Sequence, residues 1–179
     1  MQIVIPLNIY VRLKHNSDNM TQEDILEAAR TALTLYGAYL NATAQEIGID
    51  RALAIHTKVL ETMGSHQGQM MKEQSGTMEH DAQTAWKLVR TTPVNLGLDF
   101  EVKEESPQRV MLRCGRCSIF EAAQSLGMDV KHIEAFCRAG PARFMDVAAK
   151  QLNTDLNFHV GKFRSSADDF CEEELILVR

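Results

Sequence analysis

The hydrophobic period of this chain changes at Pro93, and that change limits the folds open to it. Upstream, apolar residues recur at helical spacing. Ile25, Leu26, Ala29, Ala32, Leu33, Tyr36 and Leu40 share one face, Thr21 can cap that helix with Asp24 at the capping-box position, and Gly48 marks its stop. Asp50 is placed to cap a second helix that buries Leu53, Ile55, Val59, Leu60 and Met63. Downstream, Leu96, Leu98, Phe100 and Val102 alternate with polar neighbours, and Val110, Leu112 and Cys114 alternate again after the turn Ser106-Pro107-Gln108, which predicts a hairpin. Residues 118–126 predict a short helix closed by Gly127, and residues 130–150 one or two helices broken near Gly140-Pro141. Phe158, Val160 and Phe163 mark a third strand, and residues 170–178 a fourth. The expected fold is α+β: a helical N-terminal half, then β-β-α-α-β-β, with helices packed on an antiparallel sheet.

Two stretches depart from plain patterning. Residues 63–78 hold Gly64, Gly68 and Gly76 among Met63, Met70, Met71 and Met78. Each glycine weakens a helix by about 1 kcal/mol relative to alanine, yet lets a backbone or a ligand come close. Helix is expected to resume through His80, Ala85, Trp86, Leu88 and Val89 and to end before Pro93. Residues 1–20 open with an apolar strand or arm, from Ile3 to Leu13, that is costly to leave in water. It is expected to pack on the body or on a second copy, as in a homodimer.

A length of 179 residues fits one domain spanning 1–179. Nineteen basic residues against 24 acidic ones give a net charge of -5, which argues against nucleic acid or an anionic membrane as partner. No apolar run approaches the roughly 18 residues of a membrane span, and the start lacks the layout of a secretory signal. A cytoplasmic setting is therefore expected, with the four cysteines reduced.

The sharpest chemical signal is Cys114-Gly115-Arg116-Cys117, where a strand runs into a helix. Two thiols at this spacing can chelate one ion, form a redox pair, or pack as small core residues. If a metal is held, zinc or another divalent ion, the leading set is Cys114, Cys117, Cys137 and Cys171, with His132 or His159 as substitutes. Glu121 follows Cys117 by four residues and shares its helical face, where a carboxylate can act as a base or orient a ligand. His66 and His80 fall on one stripe with Met63 and Met70 if the helix is continuous, and can line a pocket or face solvent. His15 and His56 belong to no motif. Glu172-Glu173-Glu174 reads as a solvated edge. The sequence carries no HExxH, GxSxG or GxGxxG pattern.

The order Cys117-Ser118-Ile119-Phe120-Glu121-Ala122, Cys137, Leu152-Asn153-Thr154-Asp155-Leu156 and Asp168-Asp169-Phe170-Cys171 resembles the L-2-amino-thiazoline-4-carboxylic acid hydrolase family. The resemblance covers residues 94–179, a hydrolase-like α+β core. That family is similar in architecture to 4-vinyl-reductase-type small-molecule-binding domains. Thr154 stands where the family has proline, and Asp168 where it has glycine. The resemblance implies hydrolysis of a small cyclic C–N compound of the thiazoline-carboxylate kind. It implies carry-over of Cys117, Glu121, Cys137, Asn153, Asp169 and Cys171, with Cys117, Glu121, Cys171 and Asp169 near the chemistry and Asn153 beside the substrate. A substrate carboxylate needs a cation, for which Arg116, Arg138 or Arg143 is the candidate, and His66 is a further candidate for lining the substrate pocket. The alternative that the resemblance implies is a sensor or carrier that binds a small molecule or a metal without turnover.

Overall fold

The computed structural model describes residues 21–76 and 79–178. The N-terminal arm, His15 and Met78 lie outside the described residues. Helix α1 spans Gln22–Ile47 and begins with the expected capping box: Thr21 Oγ1 accepts from the Asp24 N–H at 3.2 Å, and the Asp24 carboxylate accepts from the Thr21 N–H at 2.9 Å. Gly48, at φ +87°, breaks the chain between α1 and α2. Helix α2 starts one residue later than the glycine and runs over Ile49–Ser75, so Asp50 lies in its first turn and not at its cap.

Helix α2 continues unbroken through Gly64 and Gly68. These glycines mark a crossing. A Cβ on Gly64 would stand 2.6 Å from the Phe144 carbonyl oxygen, and one on Gly68 would stand 2.4 Å from that of Ala148. Both of those residues belong to α7 (Pro141–Leu152). The helices approach backbone to backbone there, which explains why glycine sits in the middle of a helix despite its low propensity.

The chain then forms α3 (Ala82–Val89), capped by Asp81, and α4 (Thr91–Asn95). Helix α3 ends before Pro93, as expected, and Pro93 itself lies in the short helix α4 that follows. It occupies the first turn, whose N–H groups lack intrahelical partners in any case. The remaining elements are β1 (Phe100–Glu105), β2 (Arg109–Cys114), α5 (Ser118–Ser125), α6 (Val130–Ala139), α7, β3 (Leu156–Lys162) and β4 (Cys171–Leu177). Leu96 and Leu98 precede β1 and do not extend it. Gly140-Pro141 divides α6 from α7, so three helices separate the hairpin from β3, where the simplest reading of the sequence has two.

All strands pair antiparallel in the order β1-β2-β4-β3. The fold is α+β, as the pattern implied. The inner face is built by alternation: Val110, Leu112 and Cys114 on β2, Leu156, Phe158 and Val160 on β3, and Cys171, Glu173 and Leu175 on β4 are all buried. Helices α3 and α7 cover one end of that face, where Trp86, Met145, Ala148 and Leu152 close over Val110, Leu175 and Phe158. The opposite end lies beneath α5 and α6. Among the described residues no helix is long and apolar enough to cross a membrane.

Candidate functional site

The thiols gather at that second end because of strand register. Cys114 closes β2 opposite Cys171 of β4, and one step along the same face Leu112 stands opposite Glu173, with Val160 of β3 on its other side. Cys117 follows β2 by three residues and is the N-cap of α5, in extended conformation. Cys137 arrives from α6. All four sulfur-bearing residues line one cavity of about 170 Å³. For scale, an apolar void of about 150 Å³ takes a benzene-sized guest. Most of the wall is aliphatic or aromatic, including Leu33, Leu60, Phe120 and Ile133.

Besides the thiols and a tyrosine–histidine pair, two ionisable groups interrupt this apolar wall, and neither is among the site residues expected from the sequence. Arg164, in the loop between β3 and β4, is only 1% exposed. Its Nη2 donates to the Cys114 carbonyl oxygen at 2.7 Å and to the Gly115 carbonyl oxygen, while its Nε has no hydrogen-bond partner among the described residues. Glu173 is the second. It was expected on a solvated edge, but strand alternation turns it inward between Cys171 and Leu175, while Glu172 and Glu174 remain half exposed. Burial pushes its carboxyl up to about 8, a negative charge on Cys117 adds to that, and Arg164 opposes it. Glu173 is therefore mainly neutral, and able to donate a proton, at pH 7.

The thiols differ in acidity. Cys114 can donate to either of two neighbours, the Arg116 carbonyl oxygen at 3.6 Å and the Cys117 sulfur. Within this pair Cys117 ionises first. The Cys114 thiol, the backbone N–H groups of Phe120 and Ile119 at the start of α5, and the Arg164 charge favour its thiolate over the burial that opposes it. Cys114 is held up by the same partnership and by burial. Burial pushes Cys137 well above the ordinary thiol range, and Cys171 is raised for the same reason despite its contact with Arg164.

The residues named from sequence divide sharply. Cys114, Cys117, Cys137 and Cys171 come together at the cavity. Glu121 does not line it; it faces Arg30 at 3.7 Å and Arg116 at 3.6 Å. Arg116 is exposed and paired with Glu23. Arg138 is exposed, donating to Glu134 and to the Val160 carbonyl oxygen, and Arg143 bridges Glu61 and Asp146. Asp169 organises the β3–β4 loop: it accepts from Lys162, the Ser165 N–H and the Phe170 N–H, which hold its carboxyl far below the usual range. Asn153 ties the end of α7 to the His80 carbonyl oxygen. His66 is exposed on α2, and α2 ends before His80, so no continuous stripe joins them. His132 binds its own N-cap, Asp129, and His159 is exposed.

A four-cysteine zinc site is not assembled. Among the described residues no three His, Cys, Asp or Glu side chains are grouped to hold one ion. Arg164 also brings a positive charge close enough to interact with Cys114, Cys117 and Cys171, which opposes a dication beside them.

The chain has recognisable relatives. The family model described as L-2-amino-thiazoline-4-carboxylic acid hydrolase matches residues 20–173, which extends the likeness through the helical half. No curated protein matches the chain at a significant level. Among solved structures, the fold is similar to the crystal structure of a trafficking protein particle complex subunit 3 from Naegleria fowleri covalently bound to palmitic acid. The TM-score is 0.53 at 14% identity, over 83% of this chain and 96% of that one.

Proposed function

The chain belongs to the L-2-amino-thiazoline-4-carboxylic acid hydrolase family, and from that premise we propose that its cavity opens a small cyclic C–N compound of the thiazoline-carboxylate class, with Cys117 as nucleophile and Glu173 as proton donor. One observation carries the reading: the most acidic of four thiols shares an apolar cavity with a neutral carboxyl group and a buried guanidinium. Those are the parts of a covalent hydrolysis at a carbon flanked by nitrogen and sulfur. The Cys117 thiolate forms a C–S bond to that ring carbon. The ring C–S bond breaks, and the departing sulfur takes the Glu173 proton. Water then adds to the same carbon and gives a proton back to Glu173, and Cys117 leaves as thiolate. One water is consumed and nothing is oxidised or reduced.

Arg164 supplies the cation for a substrate carboxylate, the role that Arg116 and Arg138 cannot fill from outside the cavity. Cys171 positions that guanidinium. The test is consumption of 2-amino-thiazoline-4-carboxylate by purified protein. Cys117→Ser is expected to lose on the order of 10³-fold or more in turnover, and Cys114→Ser distinctly less. Equal turnover by wild type and Cys117→Ser overturns the reading.

A second reading rests on the lining itself, which is overwhelmingly apolar, and on a smaller cavity of about 60 Å³ that shares Leu33, Tyr36, Ile119 and Ile133 with the first. In this reading a cavity thiol carries an acyl chain, as the Naegleria subunit carries palmitic acid. Mass spectrometry after incubation with a palmitoyl thioester separates the two: a single stable acyl adduct without turnover of the thiazoline acid favours the carrier.

A further inference from the structure

The helical wall of the cavity carries one polar pair that the reaction above does not use. Tyr36 of α1 and His56 of α2 both line the cavity and its smaller neighbour. His56 is 3% exposed, and its Nε2 lies 3.1 Å from the Phe136 carbonyl oxygen. A carbonyl oxygen only accepts, so Nε2 carries the proton and Nδ1 does not. Nδ1 lies 2.9 Å from Tyr36 Oη, so the tyrosine hydroxyl donates to it. The ring is fixed. The Phe136 ring meets it edge-on at 5.9 Å, and Gly140 is pressed so close that a Cβ there would fall 1.8 Å from Nε2. Burial also keeps the imidazole neutral.

With its only proton committed to His56, the Tyr36 hydroxyl presents nothing but lone pairs to anything in the cavity. Tyr36 lines the cavity and is 38% exposed. We infer that Tyr36 is a specificity residue that accepts an N–H from the substrate, and that His56 is the positioning residue that forces it into that role. The inference rests on the hydrolase reading for its substrate. It assigns a partner to the amino group that the family's named substrate carries, and disfavours rings with a methyl group in its place.

The experiment compares 2-amino-thiazoline-4-carboxylate with 2-methyl-thiazoline-4-carboxylate by calorimetric titration. It uses the full chain carrying Cys117→Ser, in which binding is read without turnover. The amino compound is expected to bind about tenfold more tightly, the effect of one hydrogen bond. Adding Tyr36→Phe should bring the ratio close to one while leaving the methyl compound's affinity in place. A ratio of one before Tyr36 is touched, a ratio unmoved by Tyr36→Phe, or no binding of either compound overturns the inference. Turnover by the wild-type chain is measured separately. Its absence, with the tenfold ratio intact, removes the hydrolase reading alone; its presence, with a ratio blind to Tyr36, removes only the role given to Tyr36.

Discussion

At one end of the sheet's inner face, Val110, Leu175 and Phe158 stand side by side across β2, β4 and β3, and Trp86, Met145 and Leu152 close over them. At the other end the same strands present Cys114, Cys171, Glu173 and Val160 to a cavity. The backbone pairing is continuous from one end to the other; what changes is side-chain volume and polarity. Aliphatic and aromatic side chains reach far enough to interlock with α3 and α7. Thiols are short, and a buried carboxyl and guanidinium need polar neighbours, so a cavity opens beside them although Cys114, Cys117 and Cys171 still pack with Phe120, Ile133 and Val160; Phe158 and Met145 mark its border with the first end. One end supplies stability, and the other gathers the reactive groups.

The largest effects should separate the ends along a single strand. Leu175 is fully buried. Leu175→Ala is expected to lower the unfolding free energy by about 2–5 kcal/mol in urea titrations. Cys171→Ala, four residues away on the same face, removes one atom beside an existing cavity and should lose less than about 1 kcal/mol. Similar losses at both positions would mean that the two ends are packed alike.

The glycines sharpen the same contrast at a smaller scale. Gly68→Ala drives a methyl group into the Ala148 backbone and should cost about 1–3 kcal/mol as α2 and α7 separate. At the cavity end, no described atom lies within 4 Å of where a Gly115 Cβ would stand, so Gly115→Ala should stay within about 0.5 kcal/mol. Thermal unfolding of the two variants side by side checks both values.

Much of this contrast is legible in the sequence. The capping box at Thr21, the turn at Gly127 (φ +72°) and the break at Gly140-Pro141 are local chemistry, readable without neighbours. The clustering of Cys114, Cys117 and Cys171 follows from alternation next to a strand–helix junction. Glu173 was within reach of the same rule: counting by two from Cys171 puts it with Leu175 on the inner face, but three glutamates in a row read as a solvated edge. Arg164 left no signal at all, because a loop arginine becomes a core residue only through the carbonyl groups of Cys114 and Gly115 across the fold. Glu121 and His66 show the converse failure. Helical spacing places a side chain relative to its own helix, and says nothing about which side of that helix the sheet occupies.

A pH-dependent effect tests whether Glu173 is withdrawn from water at the cavity end. In the unfolded chain the Glu173 carboxyl titrates near its ordinary value of 4.5, whereas in the folded protein it titrates near 8. Below about pH 4.5 both states hold the proton, and the group is neutral with respect to pH. Between these values the unfolded chain has released its proton and the folded chain retains it, so each rise in pH favours unfolding. The stability associated with this group is therefore complete in acid and is lost as pH climbs through 8. Glu173→Gln keeps the shape and removes the titration. Its melting temperature should match that of wild type near pH 4.5 and exceed it by about 3 °C or more near pH 8. Parallel melting curves across that range would mean that Glu173 is as well solvated as Glu172, in which case the thiol end of the sheet is merely a second surface.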